Sequence, residues 1–183
     1  MAELKIEAVP LDDAAGLSEL SRLCYLATFE GTCSEADMLA YLDSAYAPER
    51  LGQELAEEDS HFYYLKEGPE VLGYLKLNQK DQQSEVQPRN WLEIERLYIR
   101  PGQQGHGLGS VLMDFALSKA EEWDCPYIWL GVWEHNLKAQ AFYKKYGFER
   151  FSEHAFVMGE TVQCDWLLKR PLVLGQEKEE DDK

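Results

Sequence analysis

Apolar residues recur along this chain in two rhythms, and the alternation between them sets out its elements. Lys5 to Val9 alternates and predicts a first strand. Asp12 or Asp13 then caps a helix whose apolar face is Leu17, Leu20, Leu23, Cys24 and Ala27. A second helix is expected from Ser34, with Glu35 and Asp37 in its first turn and Met38, Leu42 and Ala45 on its apolar face. Pro48 opens a further short helix through Leu55. His61 to Lys66 and Glu70 to Asn78 read as a hairpin joined at Gly68-Pro69, and the polar stretch 79–90 reads as a long hairpin loop. Trp91 to Ile99 is a strand. The helix after it carries Leu108, Val111, Leu112, Phe115, Ala116 and Trp123 on one face. Tyr127 to Trp133 is almost wholly apolar, as expected of a strand buried on both faces. Asn136 caps a helix with Ala139, Phe142, Tyr143 and Tyr146 on one side, and Gly147 stops it. Strands over Phe148–Met158 and Thr161–Arg170 meet at Gly159-Glu160. In the last, Val162, Cys164, Trp166 and Leu168 share a face.

One connection does not read as ordinary. Leu97-Tyr98-Ile99 runs through Arg100-Pro101-Gly102-Gln103 into Gln104-Gly105-His106-Gly107-Leu108-Gly109-Ser110, a strand end, a glycine turn and a helix start. The first amides of a helix lack partners within it, and its dipole places partial positive charge there. A glycine-rich entry to such a terminus suits a phosphate. The Gly-x-Gly-x-Gly spacing differs from that of dinucleotide folds, and no Gly-Lys-Ser/Thr follows to make a P-loop. A glycine-rich connection without a ligand is the alternative.

Composition narrows the classes. With 183 residues, 45% hydrophobic and 28% charged, the chain suits one globular domain over residues 1–172, followed by an acidic tail, 173–183, expected to be disordered. The formal net charge is −16, and the five acids and two bases of Glu177–Lys183 leave most of it on the body. Such a field repels nucleic acid and anionic membrane and attracts cations. There is no opening apolar run and no membrane-length apolar segment. The four cysteines and four histidines are dispersed, so no metal site is expected. Cys24 and Cys164 fall on apolar faces as small core residues. Reduced thiols suit a cytoplasmic address.

Gln104-Gly105-His106-Gly107-Leu108-Gly109 resembles the Arg/Gln-x-x-Gly-x-Gly/Ala signature of the GNAT superfamily of N-acetyltransferases. Asn136-x-x-Ala139, with Ala141-Phe142-Tyr143-Lys144-Lys145-Tyr146-Gly147-Phe148, resembles a second GNAT feature. The order of elements is similar to that of the same fold, an α/β (α+β mixed) domain with a mixed, mostly antiparallel twisted sheet flanked by helices. The resemblance reaches Pro171, and its strings look closest to the PaiA-type spermidine/spermine N-acetyltransferases.

That resemblance implies acetyl-CoA as co-substrate, with no metal. Gln104, Gly105, His106, Gly107, Leu108, Gly109 and Ser110 would cradle the pyrophosphate, and Gln104 stands where many relatives carry Arg. Leu97, Tyr98 and Ile99 would present backbone to the pantetheine arm like an added strand. Asn136 and Lys145 match positions near the arm and the adenosine end. Tyr143 matches the general acid, and a phenol of pKa about 10 can protonate a departing thiolate at neutral pH. For the base, polyamine acetyltransferases of the superfamily point to Glu95, the favoured choice. Some protein acetyltransferases point to Glu93. With regular pleating the two share a side of the strand. Phe29, Glu30, Tyr41 and Tyr46, with Trp133 and Glu134 opposite, are the expected walls for a small cationic amine, most simply a polyamine. Peptide amines, lysines, amino acids or drug amines are alternatives, as is a protein that binds acetyl-CoA without turnover. Many relatives are dimers, so the resemblance also carries an expected homodimer.

Overall fold

The computed structural model describes residues 2–173, so the expected acidic tail beyond Val173 lies outside the described residues. The elements run β1 (Leu4–Ala8), α1 (Ala14–Phe29), α2 (Glu35–Ala45), α3 (Pro48–Ala56), β2 (Ser60–Glu67), β3 (Glu70–Asn78), a 3₁₀ turn (Lys80–Gln82), β4 (Leu92–Ile99), α4 (Leu108–Glu122), β5 (Tyr127–Trp133), α5 (Leu137–Lys145), β6 (Glu149–Met158) and β7 (Thr161–Pro171). The seven strands form one sheet in the order β1-β2-β3-β4-β5-β7-β6. All neighbours are antiparallel except β4 and β5.

Helices cover both faces of the sheet. On one face, Leu108, Leu112, Met113, Ala116 and Ala120 of α4 pack on Leu75, Leu77, Ile94, Ile128 and Leu130, with Phe142 and Tyr143 of α5 alongside. On the other, Leu17, Leu20 and Cys24 of α1, Met38 and Leu42 of α2 and Leu51 of α3 pack on Phe62, Tyr64 and Tyr74. A fully buried Leu or Met is worth about 1.5–3 kcal/mol, so these two layers supply most of the drive to fold.

Side chains cap two of the helices, α2 and α5. Ser34 Oγ accepts the Asp37 amide at 3.1 Å, and Asn136 Oδ1 accepts the Ala139 amide at 3.2 Å. Asp13 precedes α1 but makes no side-chain cap. Its carboxylate instead accepts the Tyr64 hydroxyl at 2.8 Å, tying α1 to β2.

Three expectations need correction. The 79–90 segment is not a plain loop: Gln83 is buried, donates to the carbonyls of Lys80 and Pro88, each at 3.1 Å, and accepts Trp129 Nε1 at 2.7 Å. Cys164 is half-buried beside the Glu153 carboxylate rather than in the core, and Val162 on the same face is exposed. Strand β7 instead turns Asp165 and Leu167 into a cavity on its other face. Finally, β5 is not buried throughout, because Gly131 is exposed and lines that cavity.

Candidate active site

The site begins where two parallel strands part. β4 and β5 are paired only from Leu92 to Ile94, opposite Ile128 to Leu130. Beyond Ile94 they separate, so the last residues of β4 face a wedge rather than a neighbouring strand. The wedge opens into a cavity of about 810 Å³. Leu97, Tyr98 and Ile99 line it, as do Gln104, Gly105, Gly107, Leu108, Gly109 and Ser110. Unpaired strand backbone at one end and free helix amides at the other make a channel suited to an extended chain ending in an anion.

Gly105 and Gly107 hold φ of +87° and +73°, a region that costs a side chain-bearing residue about 1–2 kcal/mol. A Cβ at either would meet nothing within 4 Å, so the bare backbone faces open space. Gly107 is itself the left-handed residue before α4, and no side chain caps the helix there. Gly109 is helical instead, and a Cβ there would stand 3.6 Å from the Phe142 ring, an ordinary contact.

The two candidate carboxylates differ sharply. β4 carries a bulge: Ile94 pairs with Leu77, but Arg96 pairs with the next residue, Lys76. Glu95 is the extra residue, so the regular pleating expected from sequence is broken there. The carboxylates still converge, because Asn78 Nδ2 donates to Glu93 Oε1 at 2.9 Å and to Glu95 Oε2 at 2.8 Å. Ser60 Oγ donates to Asn78 Oδ1 at 3.0 Å, which fixes the amide's orientation.

Glu93 is only 2% exposed. It accepts the Ser84 amide at 2.7 Å and the Ser84 hydroxyl. Burial, and then the charge of Glu95, push its carboxyl up to about 7 despite those donors. Glu95 goes the opposite way. Burial would raise it, but Arg96 and Lys76 outweigh that and hold it well below the usual carboxylate range. Lys76 pairs with Glu95 and, at 3.2 Å, with Glu54; Arg96 reaches Glu54 at 3.4 Å and Glu95 at 3.8 Å. Glu95 is thus one corner of a four-charge network, with its lone pairs committed.

Tyr143 lines the cavity from α5, its ring against Phe142 and Phe148. Burial pushes its phenol up to about 12, so it is a proton donor at neutral pH. Asn136 also lines the cavity while capping α5. Lys145 is exposed on the last turn of α5, away from the lining, where Lys138 stands instead. His106 is exposed and likewise outside it.

The cavity is also lined by residues of α1, α2 and β7. Phe29, Tyr41, Tyr46 and Trp133 line it, whereas Glu30 and Glu134 do not. Tyr25 stacks on Phe29 at 4.5 Å and on Tyr41 at 4.7 Å. Sequence reasoning missed Tyr25, Ser84, His154 and Asp165, all of which line this space. Antiparallel pairing places Asp165 beside Trp133 on one side and His154 on the other. No local pattern announces such a juxtaposition.

The Acetyltransferase (GNAT) family profile matches residues 18–148, most of the chain. The chain belongs to the GNAT family. An uncharacterized N-acetyltransferase in the pepI 3'region of Lactobacillus delbrueckii subsp. lactis is 44% identical over 94% of this chain and all of its own length. An uncharacterized N-acetyltransferase of Mycobacterium tuberculosis H37Rv is 27% identical over 80% of this chain and 92% of its own. Among solved structures, the PaiA N-acetyltransferase of Thermoplasma acidophilum in complex with coenzyme A superposes with a TM-score of 0.75. It is 21% identical, over 93% of this chain and 99% of that one, a likeness of fold. The protein is therefore an N-acetyltransferase with the GNAT fold. No helix among the described residues is long and apolar enough to cross a membrane, and no group of three His, Cys, Asp or Glu among them could hold a metal ion.

Proposed function

We propose that the protein transfers the acetyl group of acetyl-CoA to a primary amine, and that the acceptor is a polyamine such as spermidine or spermine. One observation carries this reading. A buried carboxylate of near-neutral proton affinity, a protonated phenol and a glycine-lined helix entry share one cavity.

The residues divide the work as follows. Amides of Gly105, Gly107 and Gly109, with Ser110, hold the diphosphate, and open space where Gly105 and Gly107 lack a Cβ supports that fit. Backbone of Leu97 and Ile99 holds the pantetheine arm. An amine of pKa about 10 arrives as an ammonium and must lose a proton before it can attack. Glu93 takes that proton, directly or through water. Its raised proton affinity suits it to the task better than the ion-paired Glu95. The amine nitrogen then bonds to the acetyl carbonyl carbon, the C–S bond breaks and Tyr143 gives its proton to the thiolate; the proton shed by the nitrogen as it becomes an amide reprotonates Tyr143 through solvent.

The polyamine reading rests on the acceptor end. Aromatic faces of Phe29, Tyr41 and Trp133 beside carboxylates suit a flexible polycation, as does the net charge of −16. The test is thiol release from acetyl-CoA across a panel of spermidine, spermine, monoamines, amino acids and lysine peptides. Spermidine and spermine are expected to give the highest kcat/KM. Turnover confined to peptides or amino acids would sink the polyamine claim and leave acetyl transfer standing.

A further inference from the structure

The cavity holds a carboxylate that the chemistry above does not use. Asp165 sits on β7 facing the cavity, half-buried, and burial raises its carboxyl above the ordinary aspartate value. Among the described residues no lysine or arginine pairs with it. The basic group nearest in register is His154, its cross-strand partner, whose Nδ1 lies 2.6 Å from Glu85 Oε1. This corner therefore holds two carboxylates against one imidazole, and a carboxylate partly removed from water gains by meeting a cation.

Its surroundings are shaped for one. Gly131, which pairs with Leu167 across the strands, lies near it: a Cβ there would stand 3.7 Å from Asp165 Oδ2, so the bare glycine leaves that side of the carboxylate open. The Tyr25 phenol is close enough to feel the charge of Asp165. The Trp133 ring lies across the strand pair, 5.5 Å from Phe29, and is fixed by donation from Nε1 to Gln163 Oε1 at 3.0 Å. An ammonium at Asp165 would have aromatic faces around it.

Position completes the case. Glu93 is level with Trp129 on β5, and Asp165 is level with Trp133, four residues further along. At about 3.3 Å per residue, their backbones are about 13 Å apart in that direction. One ammonium can meet one carboxylate or the other, whereas an acceptor with nitrogens at both ends can meet both.

We propose that Asp165 is a specificity-determining residue, which binds the distal ammonium of a di- or polyamine while the other nitrogen is acetylated beside Glu93. The proposal rests on the amine-acetyltransferase reading above and assigns the residue that would select for more than one charge.

The test compares spermidine with n-heptylamine, a monoamine of similar reach, in the wild type, Asp165→Asn, Asp165→Glu and Gly131→Ala. In Asp165→Asn, KM for spermidine should rise about tenfold, equivalent to about 1.4 kcal/mol. KM for heptylamine and for acetyl-CoA should move less than about twofold, and kcat should hold. Asp165→Glu should recover much of the loss. Gly131→Ala, which leaves the charge but covers it with a methyl group, should repeat the effect in part and guards against a folding defect in the Asp165 variants. Equal changes in KM for both amines, or no change for spermidine, would overturn the assignment with the acetyltransferase reading intact. Wild-type enzyme inactive on both amines but active on a peptide would remove the polyamine reading itself, and this one with it.

Discussion

Two glutamates two positions apart end in opposite electrostatic states, and neighbours from other elements decide which is which. Glu93 is closed in by Ser84 and Asn78, whereas Glu95 meets Lys76 and Arg96. If Glu93 accepts the amine's proton, kcat/KM should fall as pH drops through about 7, and Glu93→Gln should abolish that limb along with most of the rate. The same substitution should affect stability in the reverse sense. A folded-state carboxyl raised above its unfolded value takes up protons on folding, so its contribution to stability falls between about pH 4.5 and 7. Glu93→Gln should therefore raise Tm at pH 8 and leave it nearly unchanged at pH 4, as thermal melts would show. Glu95 runs the other way. Its depressed carboxyl gives stability that is present above the unfolded value and is lost as pH falls through the lower folded one. Glu95→Gln strands Lys76 and Arg96 with only Glu54, and should cost about 3 kcal/mol in denaturant melts at pH 7. It should also move the acid limb of the rate profile to lower pH, because the charge raising Glu93 is gone. Tyr143→Phe keeps the ring packing with Phe142 and Phe148. It should leave acetyl-CoA affinity by calorimetry unchanged while kcat falls about 100-fold or more. An unchanged kcat would place the acid elsewhere.

At the scale of elements, the site depends on how strands and helices end. Pairing between β4 and β5 stops at Ile94, and the bulge at Glu95 stands at the start of the gap. α4 enters through left-handed Gly107, so its first amides point at open space rather than at a capping side chain. Gly107→Ala forces an L-residue into that conformation and should weaken acetyl-CoA binding by about tenfold, with a stability loss of about 1–2 kcal/mol. α5 is held differently. Asn136 caps it, and Gln140 Nε2 donates to the carbonyls of Trp133 and Glu134 at 3.2 and 2.8 Å. Asn136→Ala should cost about 1 kcal/mol by denaturant melt and loosen the helix that carries Tyr143.

At the scale of the whole molecule, a net charge of −16 gathers cations toward a cavity lined by Glu93, Glu95 and Asp165. KM for a polycationic acceptor should therefore climb between about 0.05 and 0.5 M salt, while KM for an uncharged-tail monoamine climbs less, because the Debye length shrinks over that range. The sequence by itself determined the elements, the glycine entry to α4, the start of α2 at Ser34 and the cap at Asn136. Each of these is a matter of neighbours within a few positions along the chain: a period of two or 3.6, a hydroxyl or amide one turn before an amide, a glycine where φ must be positive. What tertiary structure decided was everything that depends on register between distant segments. It broke the pleating at Glu95, surrounded that residue with Lys76 and Arg96, folded Ser84 over Glu93, and brought Asp165 from the last strand to the wall of the cavity. The proton affinity of a carboxylate is set by burial and by charges a few ångströms away, and those come from residues tens of positions apart in the chain.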